Sequence, residues 1–132
     1  MEREKSCGCI IVDNDKVLLI GARDDEGNMF WSFPKGHQEG GETDTETAIR
    51  ETREEIGLDV EVVEPEPIIT GHYVHGGTVW KEILLFIAKL IGGDFTLQED
   101  EVELIEWVPF SEASKRLKGY YLEAWNDFLN MR

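Results

Sequence analysis

The chain has 132 residues and a mass of 15.1 kDa, enough for one domain with a real core, and 41% of those residues are hydrophobic. Its 28 acidic and 13 basic residues leave a net charge of −15, a field that repels nucleic acid and anionic membranes and argues against a polymer-binding role. With no low-complexity run, repeat or linker, residues 1–132 read as a single domain. The longest apolar run, Ile83 to Ala88, is too short to cross a bilayer, and MEREKSCGC lacks a secretory apolar region, so a cytoplasmic protein is expected.

In chain order, Cys9 to Val12 reads as a strand, Asp13-Asn14-Asp15 as a turn and Lys16 to Ala22 as a second strand. Cys7 and Cys9 sit at i,i+2, where they point the same way but are poorly placed to bond each other; without a CxxC pair a structural role is expected. Asp24 to Asn28 is a polar loop, and Phe30 to Phe33 a short extended piece. Pro34-Lys35-Gly36 and Gly40-Gly41 then give a loop of free backbone geometry. A helix starts near Thr45, capped by Thr43 or Asp44 and closed by Gly57. Val60 to Val63 is a strand that Pro65 and Pro67 end. Ile68 to Val74 and Thr78 to Leu90 form a hairpin around Gly76-Gly77, and Glu103 to Val108 is another strand. Ser111 caps a short helix to Leu117, and Tyr121, Leu122, Trp125, Phe128 and Leu129 mark an amphipathic closing helix. This order predicts an α+β layer fold.

The central helix carries the chemistry. Residues 36–58, GHQEGGETDTETAIRETREEIGL, set seven carboxylates around two arginines. With Glu51 at zero and about 100° per residue, Glu54 falls at about −60° and Glu55 at about +40°. Ala48, Thr52, Ile56, Thr45 and Ile49 fall between about 60° and 160°, forming a stripe that faces a core. Glu51 and Glu55 therefore border the buried stripe, with Glu54 just outside. Like charges at these spacings each cost the helix roughly 0.2–0.5 kcal/mol. A hard divalent cation would turn that repulsion into coordination, and Mg²⁺, which binds through a few carboxylates plus substrate phosphates, suits it best, with Mn²⁺ as a substitute. Arg50, next to Glu51 and four residues before Glu54, can brace a carboxylate without competing as a ligand. The plainer reading, a solvated glutamate-rich surface helix, does not account for the spacing.

The segment fits G-x5-E-x7-R-E-U-x-E-E-x-G-U, with U bulky and apolar, through Gly36, Glu42, Arg50, Glu51, Glu54, Glu55, Gly57 and Leu58; only Thr52, in an aliphatic place, departs. It resembles the Nudix box, the defining motif of the Nudix hydrolases. The resemblance implies an αβα sandwich with a mixed sheet between helices, and hydrolysis of a phosphoanhydride in a nucleoside diphosphate-linked small molecule by attack of water. It makes Glu51, Glu54 and Glu55 ligands of one or more Mg²⁺ ions, with the Lys35 carbonyl as a further ligand. Glu42 would brace the loop and Arg50, and Arg50 would orient Glu51. In this family the base is either a box glutamate or one on a loop before a late strand; here Glu101 takes that place, with Glu99 as the alternative.

WSFPKGHQEGGE further resembles the diadenosine polyphosphate hydrolases, whose W-x-x-P-K-G-H precedes the box. That resemblance gives Lys35, His37 and Lys81 as contacts to a long polyphosphate, each of which could equally be an ordinary polar surface residue. A tyrosine frequent in that subgroup is missing from ILLFIA, where Phe86 either stacks or fills the core. Among the aromatics able to stack on a base, Trp31 and Tyr73 are preferred over Trp80, Tyr120 and Tyr121, while His72 and His75 stay unassigned. The expected substrate is a dinucleoside polyphosphate such as diadenosine tetraphosphate, split to ATP and AMP. Nucleoside triphosphates or nucleotide sugars are the alternative, and a non-catalytic nucleotide-sensing module is the alternative of another class. Either a monomer or a homodimer is compatible with the sequence.

Overall fold

The computed structural model describes residues 1–96 and 102–132. Its long first strand, β1 (Glu2–Asp13), runs parallel to β7 (Val79–Gly93) from Glu2↔Val79 to Ile11↔Ala88. β1 turns at Asn14, whose φ is +55°, into β2 (Lys16–Arg23). β2 in turn pairs with β3 (Met29–Ser32) and with β8 (Leu104–Pro109). On the other half of the sheet, β4 (Lys35–His37) pairs with β1, and both β5 (Leu58–Val62) and β6 (Ile68–Val74) pair with β7. Helix α1 (Asp44–Ile56) covers one face of this mixed sheet, while α2 (Phe110–Arg116) and α3 (Gly119–Met131) cover the other. The result is the expected α+β sandwich.

Strand alternation sorts the core into two layers. Cys7, Cys9, Ile11, Leu84, Phe86 and Ala88 face Ala48 and Ile56 of α1. Ile10, Ile83, Leu85 and Ile87 face Tyr121, Ala124, Trp125 and Phe128 of α3. Phe86 is thus a core filler, 3% exposed. Both cysteines are free and buried, and burial pushes each thiol up to about 11, so they pack as small apolar groups.

Three expectations are corrected. β1 begins at Glu2 rather than Cys9, because the parallel partner β7 gives its charged N-terminal half a ladder that local composition does not reveal. Lys35 to His37 form a strand rather than a loop, paired with Gly8, Cys7 and Ser6. Ser111 is not a cap: α2 begins at Phe110 after Pro109, no side chain caps it, and the Phe110 amide is satisfied by the Asp15 carbonyl at 2.9 Å.

Candidate active site

Helix α1 is specified at both ends. Thr43 and Glu46 make a reciprocal capping box, with the Glu46 amide donating to Thr43 Oγ1 at 3.1 Å and the Thr43 amide donating to Glu46 Oε1 at 2.9 Å. At the other end Gly57 takes φ +77°, a left-handed stop that only glycine adopts at little cost. Ala48, Thr52 and Ile56 are buried as the periodicity requires, and Thr52 donates its hydroxyl to the Ala48 carbonyl at 2.8 Å, so a polar residue fits the stripe without an unpaired group. Thr47, which the stripe omits, is also buried because it donates to Glu42 at 3.0 Å and locks the preceding loop.

Arg50 is the hub of the site. Its Nε donates to Glu42 Oε2 at 2.6 Å, one terminal nitrogen reaches Glu51 Oε1 at 2.8 Å and Glu54 Oε2 at 2.9 Å, and the other reaches the His37 carbonyl at 2.9 Å. One guanidinium thus ties the β4 loop to the helix and fixes three of the four box glutamates, Glu42, Glu51 and Glu54. Glu51 lies over Gly36, where a Cβ would collide with its carboxylate. Glu55 accepts from the Lys35 amide at 3.2 Å. The Arg50 guanidinium, helped by the Glu39 amide, holds the Glu42 carboxyl down at about 2. Stability from that depressed carboxyl is complete above the ordinary glutamate range and fades as pH falls toward about 2. Melts of wild type and Glu42→Gln between pH 6 and pH 2 should therefore converge at the acid end; a constant gap would show that Glu42 adds no proton-linked stability.

Among the described residues no three His, Cys, Asp or Glu side chains are already gathered as a metal cage. In this arrangement Glu51 and Glu54 are turned onto Arg50. The donor chemistry still suits a hard divalent ion. It is all oxygen, it shares one helix edge, and Gly36 leaves a cradle for Glu51 that a side chain would fill. Such an ion needs only a few protein carboxylates alongside substrate phosphates.

The other expected residues divide between the two faces. Lys35 and Lys81 both point to the α3 side, near enough to influence each other: burial lowers the Lys35 ammonium, with Lys81 adding to that and Glu55 opposing it. Lys35 Nζ lies 6.0 Å from the Tyr121 ring centre, and Lys81 stands opposite His72, which stacks on Tyr120 at 4.3 Å. Sequence reasoning leaves His72 unassigned and ranks Tyr120 below Trp31 and Tyr73; counting the hairpin register outward from Gly76-Gly77 pairs His72 with Lys81 and would have found the histidine. His37 is exposed and serves the site through its carbonyl. Trp31 covers Gly21 and is itself capped by the Arg116 guanidinium at 4.7 Å, so its ring already has a partner. Tyr73 faces the α1 side beside Trp80, separated by the sheet from Lys81. Glu101 and its alternative Glu99 lie outside the described residues.

The chain matches the NUDIX domain family over residues 2–125. A Mycobacterium tuberculosis protein that carries the mutator-protein name MutT4 is 35% identical over 122 residues, 86% of this chain and 49% of that protein. The asymmetrical bis(5'-nucleosyl)-tetraphosphatase of Sus scrofa is 41% identical over 63 residues, 42% of this chain and 43% of the enzyme. The chain therefore spans about half the length of these curated relatives or less. Two solved structures share the fold: a NUDIX hydrolase from Nitrosomonas europaea and a C. elegans Ap4A hydrolase. The first has a TM-score of 0.82 at 17% identity, covering 98% of this chain and 90% of the other. The second has a TM-score of 0.77 at 24% identity, covering 97% and 96%. Because the family match takes in nearly the whole chain, including the helix that Arg50 organises, the chain belongs to the Nudix hydrolase family.

Proposed function

We propose that this hydrolase cleaves a phosphoanhydride bond in a nucleoside diphosphate-linked substrate, and that the substrate is a dinucleoside polyphosphate such as diadenosine tetraphosphate, released as ATP and AMP. The observation that carries the reading is that Lys35 and Lys81 both face the α3 side of the sheet, Lys81 with Glu4 at 3.6 Å, in a chain of net charge −15. Two cations on one face of the sheet, against that background, favour a ligand with a long run of negative charge. The 63-residue similarity to a bis(5'-nucleosyl)-tetraphosphatase supports the same class.

Glu51, Glu54, Glu55 and the Lys35 carbonyl would hold the divalent ion, Mg²⁺ in this reading with Mn²⁺ as a substitute. Bound there, it would neutralise charge on the bridging phosphates. Arg50 holds Glu51 and Glu54 relative to the β4 loop until the ion and substrate arrive. Lys35 and Lys81 hold the phosphate chain, and Glu101 takes the proton of the attacking water. Because neither lysine touches the bond that breaks, their contribution falls on substrate binding.

A panel of dinucleoside tetraphosphates, nucleoside triphosphates and nucleotide sugars in excess Mg²⁺, with products identified, tests the reading. Diadenosine tetraphosphate should dominate and give ATP and AMP, and Lys81→Ala should raise KM about tenfold with kcat little changed, the size of one charge-assisted contact. Preference for a triphosphate or a nucleotide sugar would sink the substrate class while leaving the hydrolase. Binding without turnover anywhere in the panel would point to a sensing module.

A further inference from the structure

On the α1 side, the helix stops short of the far ends of the strands, where Asp44 in its first turn meets Lys5 Nζ at 2.7 Å. Beyond that contact three strands present side chains in register. Arg3, Trp80 and Tyr73 form one row, and Lys5, Glu82 and Gly71 the next. Arg3, Glu4, Lys5, Trp80 and Glu82 line a groove of about 160 Å³.

The shelf is built around Trp80. A Cβ on Gly71 would fall 2.7 Å from one indole carbon and 2.9 Å from another, so the glycine is what lets the ring lie against the sheet. Tyr73, 60% exposed, meets it edge-on with centroids 4.7 Å apart and planes at 63°. Glu82 Oε2 sits 3.5 Å from the indole nitrogen, placing an acceptor at the rim of the ring. The two cations differ. Lys5 is neutralised by Asp44, whereas Arg3 enters no salt bridge among the described residues.

We propose that this shelf is a second ligand site, which binds a purine nucleotide with its base on Trp80 and its phosphate at Arg3. An aromatic platform is indifferent to which base it holds, but the Glu82 acceptor at its rim favours a ring bearing N–H donors. Arg3, a planar cation with no salt bridge among the described residues, suits a phosphate in a chain whose overall charge repels anions. The groove has room for one ring system, which fits a mononucleotide better than a protein surface. The site goes beyond the hydrolase reading and does not depend on it. Two strands and four residues separate Trp80 from Gly36 under Glu51, on the order of 16 Å by strand spacing, and the sheet separates the shelf from Lys81.

The test is a titration with AMP in excess EDTA, followed by tryptophan fluorescence and by saturation-transfer NMR, using protein whose fold is checked by circular dichroism. Wild type should show one saturable change, absent in Trp80→Leu and weakened about tenfold in Arg3→Ala, the scale of one charge-assisted phosphate contact. Adenosine should bind wild type and Arg3→Ala equally, since it has no phosphate for Arg3 to read. Glu51→Gln and Lys81→Ala should leave the AMP titration unchanged. The proposal is overturned by any of three results: no saturable change in wild type, a change that persists in Trp80→Leu, or one lost in Glu51→Gln or Lys81→Ala, which would place the nucleotide in the hydrolytic cleft. Arg3 is exposed, so its variant stays informative even where Trp80→Leu fails to fold.

Discussion

Glu54→Gln should lower kcat by about 10²–10³-fold, the range for removing one preorganised electrostatic contact, while nucleotide affinity stays within a small factor. The substitution keeps the shape of the side chain and deletes its charge. Glu54 is 56% exposed and pairs with Arg50 at 2.9 Å, so the fold should be little affected, within about 0.5 kcal/mol. Glu51→Gln should show a similar loss of rate with a larger loss of stability, about 1 kcal/mol, because Glu51 is only 19% exposed and shares the Arg50 nitrogen. Single-turnover kinetics with excess enzyme, set beside calorimetric melts, separate the two effects. A Glu54→Gln protein that kept its rate within about threefold would remove Glu54 from the chemistry. A wild type that bound nucleotide with no turnover to lose would mark the module as a sensor.

The sequence makes α1 legible because its signals are local. Thr43 and Gly57 bound it, the 3.6-residue period places Glu51 and Glu55 at the edge of the buried stripe, and the i,i+4 spacing puts Arg50 on Glu54. The β6–β7 hairpin is legible for the same reason, its turn written in Gly76 and Gly77, both at positive φ. What escapes is set by partners distant in the chain. Nothing in EREKS announces a strand until β7 lies beside it, and Lys35-Gly36-His37 looks like a loop until Gly8 admits it to the ladder. The substrate residues suffer most. Lys81 and Tyr73 are both hairpin residues, yet period-2 alternation sends them to opposite faces of the sheet. Trp31 looks available in sequence and is capped by Arg116, a residue far along the chain.

Two glycines in adjacent rows of the β1–β4 ladder should separate folding from chemistry. Gly8 stands opposite Lys35, and a Cβ there would collide with the Pro34 carbonyl oxygen and fall 2.6 Å from Lys35 Cβ and 2.8 Å from Lys35 Cα. Most of those atoms are backbone and cannot rotate away, so β4 has to leave β1, taking with it the 3.1 Å bond from the Cys9 amide to the Pro34 carbonyl. Gly8→Ala should therefore cost about 3 kcal/mol, at the upper end for overpacking, which lowers Tm by about 10 °C in a domain of this size. Gly36 stands opposite Cys7, and the three atoms nearest to its Cβ would all belong to the Glu51 carboxylate. A side chain can swing aside, so Gly36→Ala should melt within a few degrees of wild type while turning Glu51 away from Arg50 and lowering kcat by about 10²-fold or more. Melting curves and initial rates on the two variants decide the matter. Equal stability loss in both would mean that Gly36 is needed for the strand itself, and full activity in Gly36→Ala would mean that the Glu51 position over β4 does not matter to the reaction.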